Sequence, residues 1–410
     1  MSSNQPGLFE PSIEKEVNGL NITDKQKEFL RAVMAGENIF LTGKAGTGKS
    51  FIVRHAIEEL KKAGKRIVAV APTGIAANNI DGQTIHSMFR LNPYGVLSFE
   101  ECNFLKPASK ELLKKVDTIF IDEISMLKPD VLDGMHWTMV KNGLKGLDGK
   151  QVIFIGDMKQ LPVILDDNTR SVMYQTYDGD TFQFAKIYHR LAVKTIELDE
   201  VLRQSNPEFI ENLNLVREGV KAPYFKQFIS SEPKGIILAP HNATVQQYNQ
   251  AGLQAQSGQE FVFTASVSGD AKPEDFMLER EIKVKIGCKI MYLVNSENNP
   301  LRNGTLGMFV SYNDCHYIRV GNVDYAMEPV VVTKKQYVYN KSNDALELQE
   351  LGSITQYPFK LAYALSIHKS QGLTFDEVTI DLRRPCFQEG QLYVALSRVR
   401  TPEGLRIIIR

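Results

Sequence analysis

The chain is 410 residues long, too long for one ordinary hydrophobic core, so two or more domains are expected. Hydrophobic residues make up 43% and charged residues 23%, which excludes a disordered chain and describes a soluble globular one. Forty-eight Lys and Arg balance forty-eight Asp and Glu, so any polyanion site must be a local patch.

Cys102, Cys288, Cys315 and Cys386 lie far apart without a C-x-x-C pair, and the histidines show no ligand spacing. Neither zinc, a metal cluster nor a disulfide framework is indicated. Residues 1–18 are polar and acidic, unlike a secretory or mitochondrial signal, and no apolar run reaches membrane-spanning length. The simple reading is a reducing, intracellular compartment (cytoplasm or nucleoid in a bacterium) with no membrane partner.

In chain order, an apolar β-type run at 39–42 leads into Gly43-Lys44-Ala45-Gly46-Thr47-Gly48-Lys49-Ser50, and a helical pattern of Phe51, Ile52, Ala56, Ile57 and Leu60 follows. This is the phosphate-cradling pattern G-x-x-x-x-G-K-[S/T] in its proper strand-to-helix context. The glycines let the backbone curl and aim N–H groups at phosphate oxygens. Lys49 would reach the β- and γ-phosphates of ATP and Ser50 would hold Mg²⁺.

Apolar runs at 67–71, 118–122 and 152–156 alternate with helical patterns at 51–63 and 109–115, which predicts an α/β fold with a parallel sheet. The 71–77 segment (APTGIAA) and Thr84-Ile85-His86-Ser87 put small and hydroxyl residues where backbone can approach a phosphodiester chain. The segment 90–107 breaks the alternation and reads as a small insert. TIFIDE delivers Asp122 and Glu123 at a strand's C-terminal end, suited to holding Mg²⁺ and taking a proton from water. In FIGDMKQLP, Gln160 projects from a constrained turn as a neutral amide able to sense a γ-phosphate. Runs at 195–198, 236–239, 378–380 and 405–409 read as a second α/β sheet, interrupted over 308–357 by short strands that read as a small β-barrel.

Taken together, GKAGTGKS, APTGIAA, FIDEISML, GDMKQLP, LxxVLRQ, HKSQGLTFD and YVALSRVR resemble the ordered motifs of superfamily 1 DNA helicases. Within these the chain resembles the petite-integration-frequency (PIF) family, related to RecD-like and Dda-like enzymes. One departure is that the helical segment 130–141 carries no arginine where the PIF signature has them.

The resemblance implies two RecA-like P-loop NTPase domains, 1–190 and 191–410, with a wedge insert near 90–107 and an SH3-like β-barrel insert near 308–357. It implies that Gln26 reads the adenine edge, that Gly46, Thr47, Gly48, Lys49 and Ser50 cradle the phosphates, and that Gly372 approaches them with its backbone. Arg203 and Arg398 would act as arginine fingers beside Glu123 and Gln160. Thr73, Gly74, Thr84, His86, Phe89, His241, Asn242, His368, Lys369, Ser370 and Gln371 match strand-facing positions.

The implied activity is 5′→3′ translocation on single-stranded DNA and unwinding of forked or G-quadruplex DNA. It would come from a monomeric core, with DNA-induced dimerisation left open. Two alternatives stand: an ATP-switched single-strand clamp, and a phosphotransferase acting on a small molecule. The latter has no use for two γ-phosphate arginines from a second domain.

Overall fold

The computed structural model describes residues 22–409, apart from 94, 164, 273–275, 277, 297–298 and 341. The stretch 1–18, read above for targeting signals, lies outside the described residues. The chain divides into two compact units. The first comprises 1–158, 163–202 and 337–347; the second comprises 159–162, 203–336 and 348–410.

The first unit is built on a six-stranded sheet of β1 (Ile39–Gly43), β2 (Ile67–Ala71), β3 (Gln83–Thr84), β4 (Thr118–Ile121), β5 (Gln151–Ile155) and β6 (Lys194–Leu198). All neighbours pair in parallel, in the order β3-β2-β4-β5-β1-β6. Alternate side chains of each central strand enter cores on opposite faces. Val68, Val70, Ile119, Ile121 and Phe154 face one, and Ala69, Phe120, Ile153, Ile39 and Leu41 face the other. Burial on both sides is why these strands read as continuous apolar runs. Each fully buried Val, Leu, Ile or Phe side chain is worth roughly 1.5–3 kcal/mol.

Residues 90–106 contain no helix or strand among those described. Leu91, Leu97, Cys102 and Leu105 anchor this insert in the first core, and buried Asp130 accepts the Leu97 N–H at 2.8 Å. Phe99 and Phe104 stay 40% and 70% exposed, with the Lys141 ammonium 5.6 Å from each ring centre. The helix Pro129–Lys141 behind it buries Leu132, Met135 and Met139 completely.

The second unit carries a four-stranded parallel sheet of β7 (Ile236–Ala239), β18 (Ala364–Ser366), β19 (Val378–Asp381) and β20 (Leu405–Ile408), in the order β18-β7-β19-β20. Between β7 and β18 the chain forms the helix Asn242–Ala255 and then a region of strands: β8 (Glu260–Thr264), β9 (Ser266–Gly269), β10 (Glu281–Lys285), β11 (Lys289–Tyr292), β12 (Leu306–Tyr312), β13 (Cys315–Val320), β14 (Val323–Met327), β15 (Val330–Asn340), β16 (Ala345–Gln356) and β17 (Phe359–Leu361). Its core gathers Ile290, Phe309, Ile318 and Phe359.

Two sequence expectations are corrected. The run at 195–198 does not open the second sheet; it lies within β6, which pairs with β1 at the edge of the first. Its exposed Lys194, Thr195 and Glu197 are the alternation of an edge strand, which does not reveal the sheet it joins. The β-rich insert begins at Glu260 rather than near 308: β8 and β10, separated by 16 residues, pair antiparallel ahead of that point, a long-range partnership that neither short run announces by itself.

The tip of the β15–β16 hairpin belongs to the first unit. Tyr337 donates its N–H to Gln83 Oε1 at 3.1 Å, and its hydroxyl accepts the Ala69 N–H at 3.2 Å. Tyr337, Tyr339 and Leu346 pack on the first core, and Asp344 bridges Lys115 at 2.8 Å and Arg66 at 3.4 Å.

Candidate functional site

In the first unit, β1 ends in the glycine-rich loop, and the helix Lys49–Lys62 begins immediately after it. Gly46 and Gly48 hold φ of 82° and 81°, a left-handed conformation that side chains disfavour. A Cβ on Gly48 would also stand 2.8 Å from Gln26 Nε2, so the close approach requires glycine. The Lys49 ammonium donates to the Gly43 and Lys44 carbonyls at 2.7 and 3.0 Å, and buried Thr47 donates its hydroxyl to Lys44 O at 3.0 Å. The Leu202 N–H donates to Gly46 O at 2.8 Å, strapping the loop from outside.

Gln26 lies beneath this loop, 2% exposed. Its Nε2 donates to Thr47 O at 3.3 Å, while its Oε1 accepts the Thr23 N–H at 3.1 Å as half of a capping box. One N–H and one lone pair remain for a base edge. The support it gives the loop was not foreseen from sequence, although Thr23-x-x-Gln26 is a readable cap signal.

β4 delivers Asp122 and Glu123 beside the loop. Burial pushes the Asp122 carboxyl up to about 6, and the Glu123 N–H and the Lys49 charge pull the other way. Asp122 Oδ1 accepts the Glu123 N–H at 2.8 Å, and Glu123 adopts φ of 52°, unusual for a non-glycine. Strain of this kind collects where a side chain must be aimed.

Thr73 accepts the Ala76 N–H at 3.2 Å, and Thr84 caps the helix Ile85–Phe89 through Ser87 N at 3.3 Å. Gly74 opens the helix Gly74–Asn79. Burial, then the nearby Lys128, lowers the His86 pKa, so its ring is kept neutral. Phe89 is a correction: its ring is wholly buried in the first core and offers no face to a base.

In the second unit the remaining candidates converge. Arg203 donates to Ser397 O at 3.3 Å, and Arg398, 2% exposed, bonds the Ser397 hydroxyl through Nε at 3.2 Å and a terminal nitrogen at 2.6 Å. Arg398 also donates to Leu373 O at 3.2 Å. Buried Gln204 pins the same segment by donating to Ser397 O and Val399 O at 3.2 and 3.1 Å. Among the described residues no carboxylate pairs with Arg203, whose pKa burial lowers, with Arg400 adding to the effect.

Gln160 accepts from Gln371 Nε2 at 3.2 Å, and Gly372 follows with φ of 79°. Gly390 lies so close that a Cβ there would stand 2.6 Å from Gln160 O. Gln160, Arg203, Arg398 and Gly372 are therefore one group.

The strand-facing candidates of this unit sit at the C-terminal ends of adjacent strands. His241 and exposed Asn242 follow β7; His368, exposed Lys369 and Gln371 follow β18. That edge is where open α/β sheets place ligands. Ser370 is a second correction: it is fully buried, and its hydroxyl donates to Ile367 O at 2.7 Å. It serves instead as a link, since its carbonyl accepts from Arg398 at 3.5 Å. Gln388, missed in the sequence, accepts from His368 Nε2 at 3.1 Å and donates to Pro162 O at 2.9 Å.

A nucleotide-cradling first unit and a second unit that groups arginines with a polar strand edge define the class of P-loop motors. Residues 21–222 match the PIF1-like helicase family. The chain is similar to Pif1 from Bacteroides sp in its complex with ADP-AlF4: 32% identity, covering 95% of this chain and 92% of that one, TM-score 0.85. A second structure of the Bacteroides protein, bound to ssDNA, superposes with a TM-score of 0.67 at 32% identity and the same coverage. The ATP-dependent DNA helicase Pif1 of Campylobacter jejuni is 29% identical over 92% of this chain and 90% of its own length. The chain belongs to the PIF1-like helicase family.

Proposed function

We propose that this chain is an ATP-driven DNA helicase that moves 5′→3′ along a single strand and separates forked duplex, acting inside the cell. The observation that carries the reading is the bonded path within the second unit. Gln160 is tied to Gln371, Pro162 to Gln388 and on to His368, and Arg398 to Ser370. Residues read as γ-phosphate sensors thus share hydrogen bonds with the turn read as holding the strand. A change at one is a change at the other, which is what coupling fuel to movement requires.

Lys49 and the loop N–H groups hold the phosphates, Glu123 takes a proton from the attacking water, and Arg203 and Arg398 stabilise charge on the transferring phosphoryl group. Mg²⁺ fits Ser50 and Asp122. It needs only one or two protein oxygens besides phosphate and water, and a carboxylate whose charge is disfavoured by burial gains from a cation. Bound there, it would neutralise developing charge on the phosphate oxygens. Thr73, Gly74, Thr84, His86, His241, Asn242, Lys369 and Gln371 hold the strand, and the 90–106 insert with its exposed Phe99 and Phe104 serves as the wedge. Forked DNA is the first substrate to test and folded G-quadruplex DNA the second.

The test compares forks bearing only a 5′ tail with forks bearing only a 3′ tail, with ATP and Mg²⁺. Separation from the 5′ tail alone is expected. Separation from the 3′ tail alone reverses the polarity, and ATP hydrolysis without separation on either makes the chain a nucleotide-switched clamp.

A further inference from the structure

Three loops leave the C-terminal ends of three adjacent parallel strands: β18, β7 and β19. The first two carry His368 and His241. The third, running from Leu382 to Gly390, was not singled out in the sequence, yet both histidines are fastened to it. His241 Nε2 donates to Pro385 O at 3.1 Å and His368 Nε2 to Gln388 Oε1 at 3.1 Å. Between those attachment points sits Phe387. Its ring centre is 5.1 Å from that of His241 at a 40° tilt, and 6.2 Å from that of His368 with the planes 19° apart.

An aromatic ring held by two neighbours is ordinarily core. Phe387 is 54% exposed. The rings it faces are the imidazoles of His241 and His368, and the same loop presents exposed Arg383 and Arg384. An exposed aromatic among histidines and arginines, on the edge where the strand-facing residues gather, has the composition of a surface that takes one base on its π-face and the adjoining phosphates on its cations. The loop is also stiff. Asp381 accepts from Arg383 at 2.8 Å and from the Tyr248 hydroxyl at 3.0 Å at its start, and Gln388 holds Pro162 at its end. The ring is therefore in place before any base arrives, which keeps the ordering cost of stacking low.

We propose that Phe387 is a base-stacking residue of the strand-binding face, receiving one unpaired base of single-stranded DNA beside His241 and His368. This rests on the strand-binding reading above. Stacking carries no base identity, so the contact suits binding that is indifferent to sequence.

The test measures equilibrium binding of fluorescent oligo-dT to the full chain without nucleotide, for wild type, Phe387→Ala, Phe387→Leu and Phe387→Trp. The Ala and Leu variants should lose about fivefold or more in affinity and the Trp variant should keep it, since one stacked base is worth at least that much. The slope of log affinity against log salt should stay unchanged in all, because no phosphate contact is removed. A single abasic position walked along the oligonucleotide should weaken wild type at one register, and that penalty should vanish in Phe387→Ala and Phe387→Leu and persist in Phe387→Trp. Wild-type affinity in Phe387→Ala, or an abasic profile there identical to that of wild type, overturns the proposal. Equal affinity for the Leu and Trp variants reduces Phe387 to an apolar spacer and overturns it as well. Failure of wild type to bind any single strand instead overturns the strand-binding reading itself. Unchanged thermal midpoints in the variants exclude misfolding as the cause.

Discussion

The two units handle their polar side chains in opposite ways. In the first, the groups around the phosphate loop are satisfied from within: Lys49 on two loop carbonyls, Thr47 on a third contact, Gln26 at both ends of its amide. In the second, three cations, Arg203, Lys360 and Lys369, form no ion pair with a carboxylate among the described residues. Among the described residues Arg203 bonds the Ser397 carbonyl, Lys369 is exposed, and Lys360 on β17 is 4% exposed with no hydrogen bond or ion pair to its ammonium. Burial and then the Lys369 charge bring the Lys360 pKa down to about 8, against the opposing pull of Glu279. A prebuilt cradle keeps its shape between nucleotides. A set of uncompensated cations is stable only to the degree that a polyanion completes it.

Four measurements bear on that contrast, in falling order of effect. Arg203→Ala should lower DNA-stimulated ATP turnover by about 10³-fold or more while nucleotide binding persists, because the lost charge acts on the transferring phosphoryl group. A loss confined to KM would place Arg203 in ground-state binding instead. Lys49→Ala should cost about 10²–10³-fold in turnover and leave nucleotide-free binding to single strands near wild type; unimpaired hydrolysis would remove the loop from the chemistry.

Lys360 tests the second unit alone. Its folded pKa lies below the unfolded value, so between pH 8 and 10.5 the unfolded chain binds the extra proton and stability rises with pH. The rise should reach about 3 kcal/mol in denaturant titrations and flatten in Lys360→Met. A Met variant with the wild-type slope would show that Lys360 is already compensated. Smallest, Gln26→Ala removes the loop support and the cap together and should cost about 1 kcal/mol of stability. A thermal midpoint identical to wild type would mean that the loop holds its shape unaided.

Much of this was legible because it is local. The loop 43–50 is a contiguous pattern whose strand and helix flank it, and β2, β4 and β5 announce themselves by burial on both faces. What depends on distant partners was not. β6 could be recognised as a strand but not assigned to a sheet, because that depends on which edge is open. Phe89 matched a strand-facing position, yet the short helix Ile85–Phe89 turns it inward beside Ile85 and Met88. Phe387 and Gln388 sit in a loop with no pattern of its own, and only the convergence of three strand ends gives them meaning. Lys360 was hidden in an apolar run, where a single charge reads as a surface position on a strand.

The exchange of segments between the units bears on how the protein can be divided. A cut after Leu202 would leave the 1–202 half without the hairpin tip whose Tyr337 hydroxyl closes the Ala69 N–H, and the 203–410 half without the Lys159–Pro162 turn that Gln371 and Gln388 hold. Neither fragment would own all the atoms of its fold. Expression of separate halves is thus the wrong way to obtain either one, and a nick in the linker between them would leave two pieces still laced through each other.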